Sequence, residues 1–199
     1  DPFRTAVVLP DEQLLVPTLY AVPQELGTFN VTMGYSLKNA PVTAFVQNLA
    51  SLQEMYRSKD GQAGSFYFKQ VETILQHSYT TAIVGETASE ISRRITKNNL
   101  YQVSVSEFDD IPFLMKIFKK VNTSDETIDY LLDILGEIMS HDDLFTETDY
   151  EFLYHYRATV EKLGAIVKKQ TFTFTSRTLF QLLNKLVNGV SVPFSGEPL

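Results

Sequence analysis

Apolar residues recur at helical spacing through most of this chain. After Pro41, Val42, Phe45, Val46, Leu49 and Leu52 fall three or four apart, with Met55 and Tyr56 closing the run, the stripe of an amphipathic helix. A loop is expected from Ser58 to Ser65, where Gly61 and Gly64 stand. Phe66, Val71, Ile74 and Leu75 then predict a helix over Phe66 to His77, and Ile91 and Ile95 another from Gly85 to Thr96. Leu100 to Val105 alternates and predicts a short strand. Asp110-Ile111-Pro112 opens a helix expected to reach Lys120, since proline is tolerated in a first turn. Thr123-Ser124-Asp125-Glu126 supplies an N-cap for the long periodic run through Ile128, Leu131, Leu132, Leu135, Ile138 and Met139. Thr146 or Thr148 starts the next helix, expected to end about Lys169, and Thr175 or Ser176 caps a last one ending near Asn188-Gly189.

The first forty residues read differently. Thr5 to Leu9 is short, apolar and β-branched and is closed by Pro10, the pattern of a buried strand. Asp11 can cap a helix from Glu12 to about Ala21, ended by Pro23, although Pro17 lies inside it. Phe29 to Met33 predicts a second strand, with Gly34 after it permitting a turn. Strand, helix and strand with tight links suggest the edge of a parallel sheet. The expected fold class is therefore mainly α with an α/β opening: a segment at residues 1–40, a helical domain at 41–189 and a return segment at 190–199. No internal repeat interrupts this order.

Composition narrows the class. The chain's 199 residues, 44% of them hydrophobic, suit one globular domain with or without a small appendage. No apolar run approaches the roughly 18 residues of a membrane span, and the opening Asp1-Pro2-Phe3-Arg4 is not a signal peptide. Cysteine is absent. Disulfides and thiolate metal sites are thereby excluded, and a reducing cytoplasm is the expected setting.

Charge changes the picture more. The net charge is -7, whereas an autonomous nucleic-acid binder usually carries a basic footprint. The charge is unevenly spread. Between Glu107 and Glu151 only Lys116, Lys119 and Lys120 oppose a run of acids; between Phe152 and Asn188 the order reverses, with Arg157, Lys162, Lys168, Lys169, Arg177 and Lys185 against Glu161 alone. Two solvated helix faces would produce this pattern. So would a polarised domain with one face to nucleic acid and the other to protein or solvent.

Both ends carry a resemblance. Val7-Val8-Leu9-Pro10-Asp11-Glu12, the following Leu14-to-Tyr20 stretch, and Asn30-Val31-Thr32-Met33-Gly34-Tyr35-Ser36-Leu37-Lys38 at one end, with Val192-Pro193-Phe194-Ser195-Gly196-Glu197-Pro198-Leu199 at the other, resemble internal junctions of the AddB/RecB-like helicase–nuclease proteins of Bacteroidetes-type bacteria, a PD-(D/E)XK nuclease family. The resemblance implies a middle piece of a larger DNA-repair protein, spanning the helical 2B insertion of a superfamily 1 motor domain. It implies DNA and a helicase–nuclease subunit as partners, ATP for the motor complex and Mg2+ for the nuclease, with neither cofactor held by this piece. Where such motors place a phosphate-contacting arginine, this chain has Pro10-Asp11-Glu12-Gln13. A Walker loop and an Asp…(Asp/Glu)-x-Lys core are both lacking. No catalytic residue is assigned.

Nucleic-acid contacts are expected at Thr32, the Gly34 backbone and Lys38, beside Asn30, and at Lys168, Lys169 and Arg177, near Phe172 and Phe174. Hydroxyls and amides position a phosphate backbone, and aromatics among cations stack single-stranded bases. The competing reading makes Gly34 a turn residue and the two phenylalanines core. The dense cluster of His141, Asp142, Asp143, Glu147, Asp149 and Glu151 fits helix-start capping better than a metal site; His77 and His155 stand alone and read as helix-face residues. The alternative function is a stand-alone helical protein-interaction module, and a hydrolase built on the acidic cluster is a third class.

Overall fold

Two capping boxes set the frame. Thr123 Oγ1 accepts from Glu126 N at 3.3 Å while the Glu126 carboxylate accepts from Asn122 N and Thr123 N, opening α7 (Ser124–Met139). Thr146 and Asp149 repeat the exchange at the head of α8 (Glu147–Val167). The backbone bonds to Glu126 hold its carboxyl below the usual range. Removing the first cap is expected to cost about 1 kcal/mol. Thr123→Ala should thus lower the thermal midpoint by about 2–4 °C in a chain of this size, read by circular dichroism.

The computed structural model describes residues 6–11, 14–23, 31, 34–58, 63–169 and 174–193. Within it α7 and α8 run antiparallel: Gly164 lies under Ile128, where a Cβ would come within 3.0 Å of Ile128 Cγ2, and Gly136 faces Arg157. Two further helices complete the bundle, α2 (Pro41–Glu54) and α9 (Ser176–Val187). They are antiparallel, joined by Gln47 Nε2 donating to Asn184 Oδ1 at 3.1 Å and by Arg177 pairing with Glu54 at 3.2 Å. The N-termini of α7 and α9 are tied side by side, since Ser124 N donates to Phe174 O and Ser176 N to Asn122 O at 2.8 and 2.9 Å. Phe45, Leu49, Leu131, Leu135, Leu153, Leu179 and Leu183 are all buried in one core cluster. The apolar stripes of the sequence thus face one another, as burial requires.

A smaller unit lies against this bundle. β2 (Ser65–Tyr67) pairs antiparallel with β3 (Gln102–Ser104), and between them run α3 (Phe68–Leu75), α4 (Ser78–Val84) and α5 (Glu86–Lys97). The helix expected from Phe66 therefore begins at Phe68. Phe66 and its strand partner Val103 are both buried, and the alternating burial of both strands is the period-two pattern of a sheet. The helix α4 is not marked by the apolar pattern: His77, expected on a helix face, is its N-cap, with Nδ1 accepting from Tyr79 N at 3.3 Å. Gly85, at φ 66°, separates α4 from α5.

The helix expected to run to Lys120 is shorter, α6 (Pro112–Ile117). The chain leaves it because residues 119–121 bond to buried Gln53 instead. Its Nε2 donates to Lys119 O at 2.8 Å, its Oε1 accepts from Val121 N at 3.1 Å, and its backbone carbonyl accepts from Lys120 Nζ at 2.9 Å.

At the N-terminal side the helix is α1 (Leu15–Ala21), with Pro17 in its first turn, where no intrahelical N–H bond is needed. The buried strand expected at Thr5 to Leu9 is not formed by its described residues, 6–9. Val7 and Val8 are 70% and 87% exposed, and no described strand pairs with them, so nothing there buries an apolar face. The strand expected from Phe29 to Met33 lies outside the described residues except for Val31, which is in no strand. Pairing near this end is antiparallel, unlike the parallel edge expected. β1 (Tyr35–Ser36) joins β4 (Ser191–Val192), Tyr35 opposite Val192, and Leu37 N donates to Val190 O at 2.9 Å. The architecture is mainly helical with small antiparallel strand pairs, and no helix among the described residues is long and apolar enough to cross a membrane.

Candidate nucleic-acid interface

Four of the expected contact residues lie at the two ends of the bundle. Lys168 follows α8 directly and Lys169 comes next. Both are exposed, and the antiparallel pairing of α8 with α7 sets them beside the α7 N-terminus. Arg177 stands in the first turn of α9, whose N-terminus is tied to that of α7. Lys168, Lys169 and Arg177 therefore share one end. Lys38 is exposed in the 3-10 turn Leu37–Asn39 that leads into α2. The Arg177 partner, Glu54, is the last residue of α2, so Lys38 and Arg177 are separated by the length of that helix, about 20 Å at 1.5 Å per residue.

Gly34 belongs with Lys38, but for a different reason than turn geometry. Its φ is not positive. A Cβ there would overlap Ser191 Oγ and approach Val192 O to 3.2 Å; the bare backbone lets β4 pass. Thr32, Asn30 and Phe172 lie outside the described residues. Phe174 packs half-buried against the core and gives its carbonyl to Ser124 N, so it serves the junction of α7 and α9.

Lys120 extends the basic end, and no local pattern in the sequence marks it. A groove of about 620 Å³ runs between α2 and α9, with Lys120 and the Arg177–Glu54 pair at one end and neutral Gln47, Ser51, Gln181 and Asn184 along it. Lys120 Nζ sits 5.4 Å over the Tyr56 ring, and burial lowers its pKa from the ordinary lysine value. Only folding could find this neighbour, because it depends on the sharp exit from α6.

The antiparallel packing of α7 and α8 sets the basic end of α8 beside the acidic first turn of α7, and the acidic first turn of α8 beside the C-terminal half of α7. Lys116 is held by Glu137 and Asp133 at 2.9 and 3.0 Å. Those two bonds raise the Lys116 pKa, Glu137 foremost. The acidic cluster is divided among local tasks. Asp149 closes the Thr146 cap, Glu151 stands 3.6 Å from His155, and His141 Nδ1 lies 2.9 Å from Glu137 O. Among the described residues no three acids or histidines converge as a metal-binding group.

Comparison with protein-family models, with curated proteins and with solved structures returns no match to this chain.

Proposed function

We propose that residues 41–189 form a non-catalytic, 2B-like helical insert of an AddB/RecB-like helicase–exonuclease, guiding DNA and holding a partner subunit during double-strand break repair in the cytoplasm. The observation that carries this reading is the pairing of β1 with β4. The chain reaches the helical bundle and leaves it through adjacent antiparallel strands, the geometry by which a module is inserted into a host without disturbing it. The junction-like residues at both ends add to it.

The α2–α9 groove supports the guiding role. It has Lys120 and the Arg177–Glu54 pair at one end, neutral hydrogen-bonding side chains along its wall and Lys38 beyond its far end. A strand laid along it would span about 20 Å, on the order of six phosphates at 3.4 Å spacing. ATP and Mg2+ belong to other parts of the proposed parent. No chemical step is assigned to this piece.

Fluorescence anisotropy with a labelled forked DNA tests the reading. Binding is expected to weaken with salt, and replacing Lys168, Lys169 and Arg177 together by alanine should reduce the salt slope by about 2–3, near one for each phosphate no longer neutralised. An unchanged slope, or no binding at low salt, would remove the basic end as a DNA site.

A further inference from the structure

The opposite character of one surface carries a separate inference, independent of the DNA reading. On α8, Tyr150 and Tyr154 stand one turn apart and are 40% and 57% exposed. They rim a groove of about 450 Å³ between α7 and α8 whose wall includes Met139 and whose small residues are Gly136 and Ala158. Tyrosine presents a large, rigid contact surface with a polar tip, which is why it is enriched in protein interfaces.

Charge decides what can cover this surface. Exposed Asp143 stands in the turn before α8, and exposed Glu147 and Glu151 stand on its first turns beside the two tyrosines; Glu161, in the groove wall, pairs with Arg157. Lys116 already compensates Asp133 and Glu137, and Arg157 compensates Glu161 at 3.0 Å, so the carboxylates open to a partner are Asp143, Glu147 and Glu151, the last 3.6 Å from His155. Glu147 and Glu151 each precede a rim tyrosine by three residues and so flank it on the helix surface. A nucleic acid would meet like charge here, and a neutral apolar segment would leave the carboxylates uncompensated. We propose that the α7–α8 face docks a basic amphipathic helix of a partner protein, its apolar residues seated between Tyr150 and Tyr154 and its lysines or arginines paired with the surrounding carboxylates. One-turn spacing of the tyrosines matches apolar anchors three or four residues apart on the incoming helix.

The probe is a fluorescein-labelled helical peptide of leucine and lysine with leucines at helical spacing, beside a scrambled peptide of the same composition. Both are titrated into the full chain by anisotropy. Saturable binding of the amphipathic peptide alone is expected. It should weaken about thirtyfold in Tyr150→Ala/Tyr154→Ala, the size of one interface hot spot. Glu147→Gln/Glu151→Gln should weaken it less, with a shallower salt dependence. All four positions are exposed, and circular dichroism of each variant checks that the fold is kept. Equal binding of the scrambled peptide, unchanged affinity in the tyrosine variant, displacement of the peptide by forked DNA, or no saturable binding would each overturn the proposal.

Discussion

Gln53→Leu is expected to destabilise the protein by about 2–4 kcal/mol. The substitution nearly preserves volume, so no large cavity forms. It removes the amide that donates to Lys119 O and accepts from Val121 N. Gln53 is 3% exposed and Val121 2%, so water cannot readily take over. The orphaned, buried Val121 N–H costs about 1–3 kcal/mol, and the Lys119 carbonyl, part-buried on an exposed residue, adds less. The Lys120 bond to the Gln53 backbone carbonyl does not involve the amide, but the segment that carries Lys120 loses its anchor. Urea unfolding measures the first effect. A second readout is the groove: with Lys120 displaced, affinity for forked DNA should fall even at temperatures where the variant is folded. A Gln53→Leu protein as stable as the parent would show that residues 119–121 find other partners.

That same glutamine marks where the sequence stops being readable. Within the helical stretch polar residues look like surface, and Gln53 sits one position beyond Leu52 with nothing local to mark it as buried. Signals confined to a few residues survive folding well. Thr123, Thr146 and Thr175 cap α7, α8 and α9 where expected, because a cap needs only its own first turn. Features that depend on distant partners do not. Phe66 belongs to a strand because Val103 lies opposite it, a pairing across an intervening run of helices. Val7 and Val8 have strand-like side chains, yet the described structure offers them no sheet. At the candidate interface, Lys168, Lys169 and Arg177 are legible as cations near one another in sequence. Their distance from Lys38, and the addition of Lys120, follow from how α2 and α9 lie together. Charge blocks along a chain become charge faces only if the helices that carry them diverge. Here antiparallel α7 and α8 bring acidic and basic ends together, and the net acidic surface is left at the tyrosine end.

The largest single loss is expected at Phe45, where stability and pH dependence meet. Its ring is wholly buried on α2, 4.8 Å from the His77 ring and 5.6 Å from the Tyr79 ring between centroids. Phe45→Ala should cost about 3–5 kcal/mol through lost burial and the cavity left behind. It should also change how the protein responds to acid. Burial lowers the His77 pKa below its ordinary 6.5, opposed by a hydrogen bond with the Pro41 backbone. Nδ1 accepts from Tyr79 N, so protonation there would also break the α4 cap. With the folded pKa below the unfolded one, the unfolded chain takes up a proton that the folded chain refuses as pH drops through about 6.5. Stability contributed by neutral His77 is therefore lost on acidification below that value and levels off under the folded pKa. In the parent protein the urea midpoint should fall between about pH 7 and pH 5. In His77→Asn, which keeps a side-chain acceptor for the cap but does not titrate, that dependence should flatten. In Phe45→Ala, water admitted beside the ring relieves the desolvation that lowers its pKa, so the midpoint should be lower throughout and its slope with pH smaller. An equal slope in His77→Asn and the parent would assign the acid sensitivity to the carboxylates, leaving His77 as a cap and nothing more.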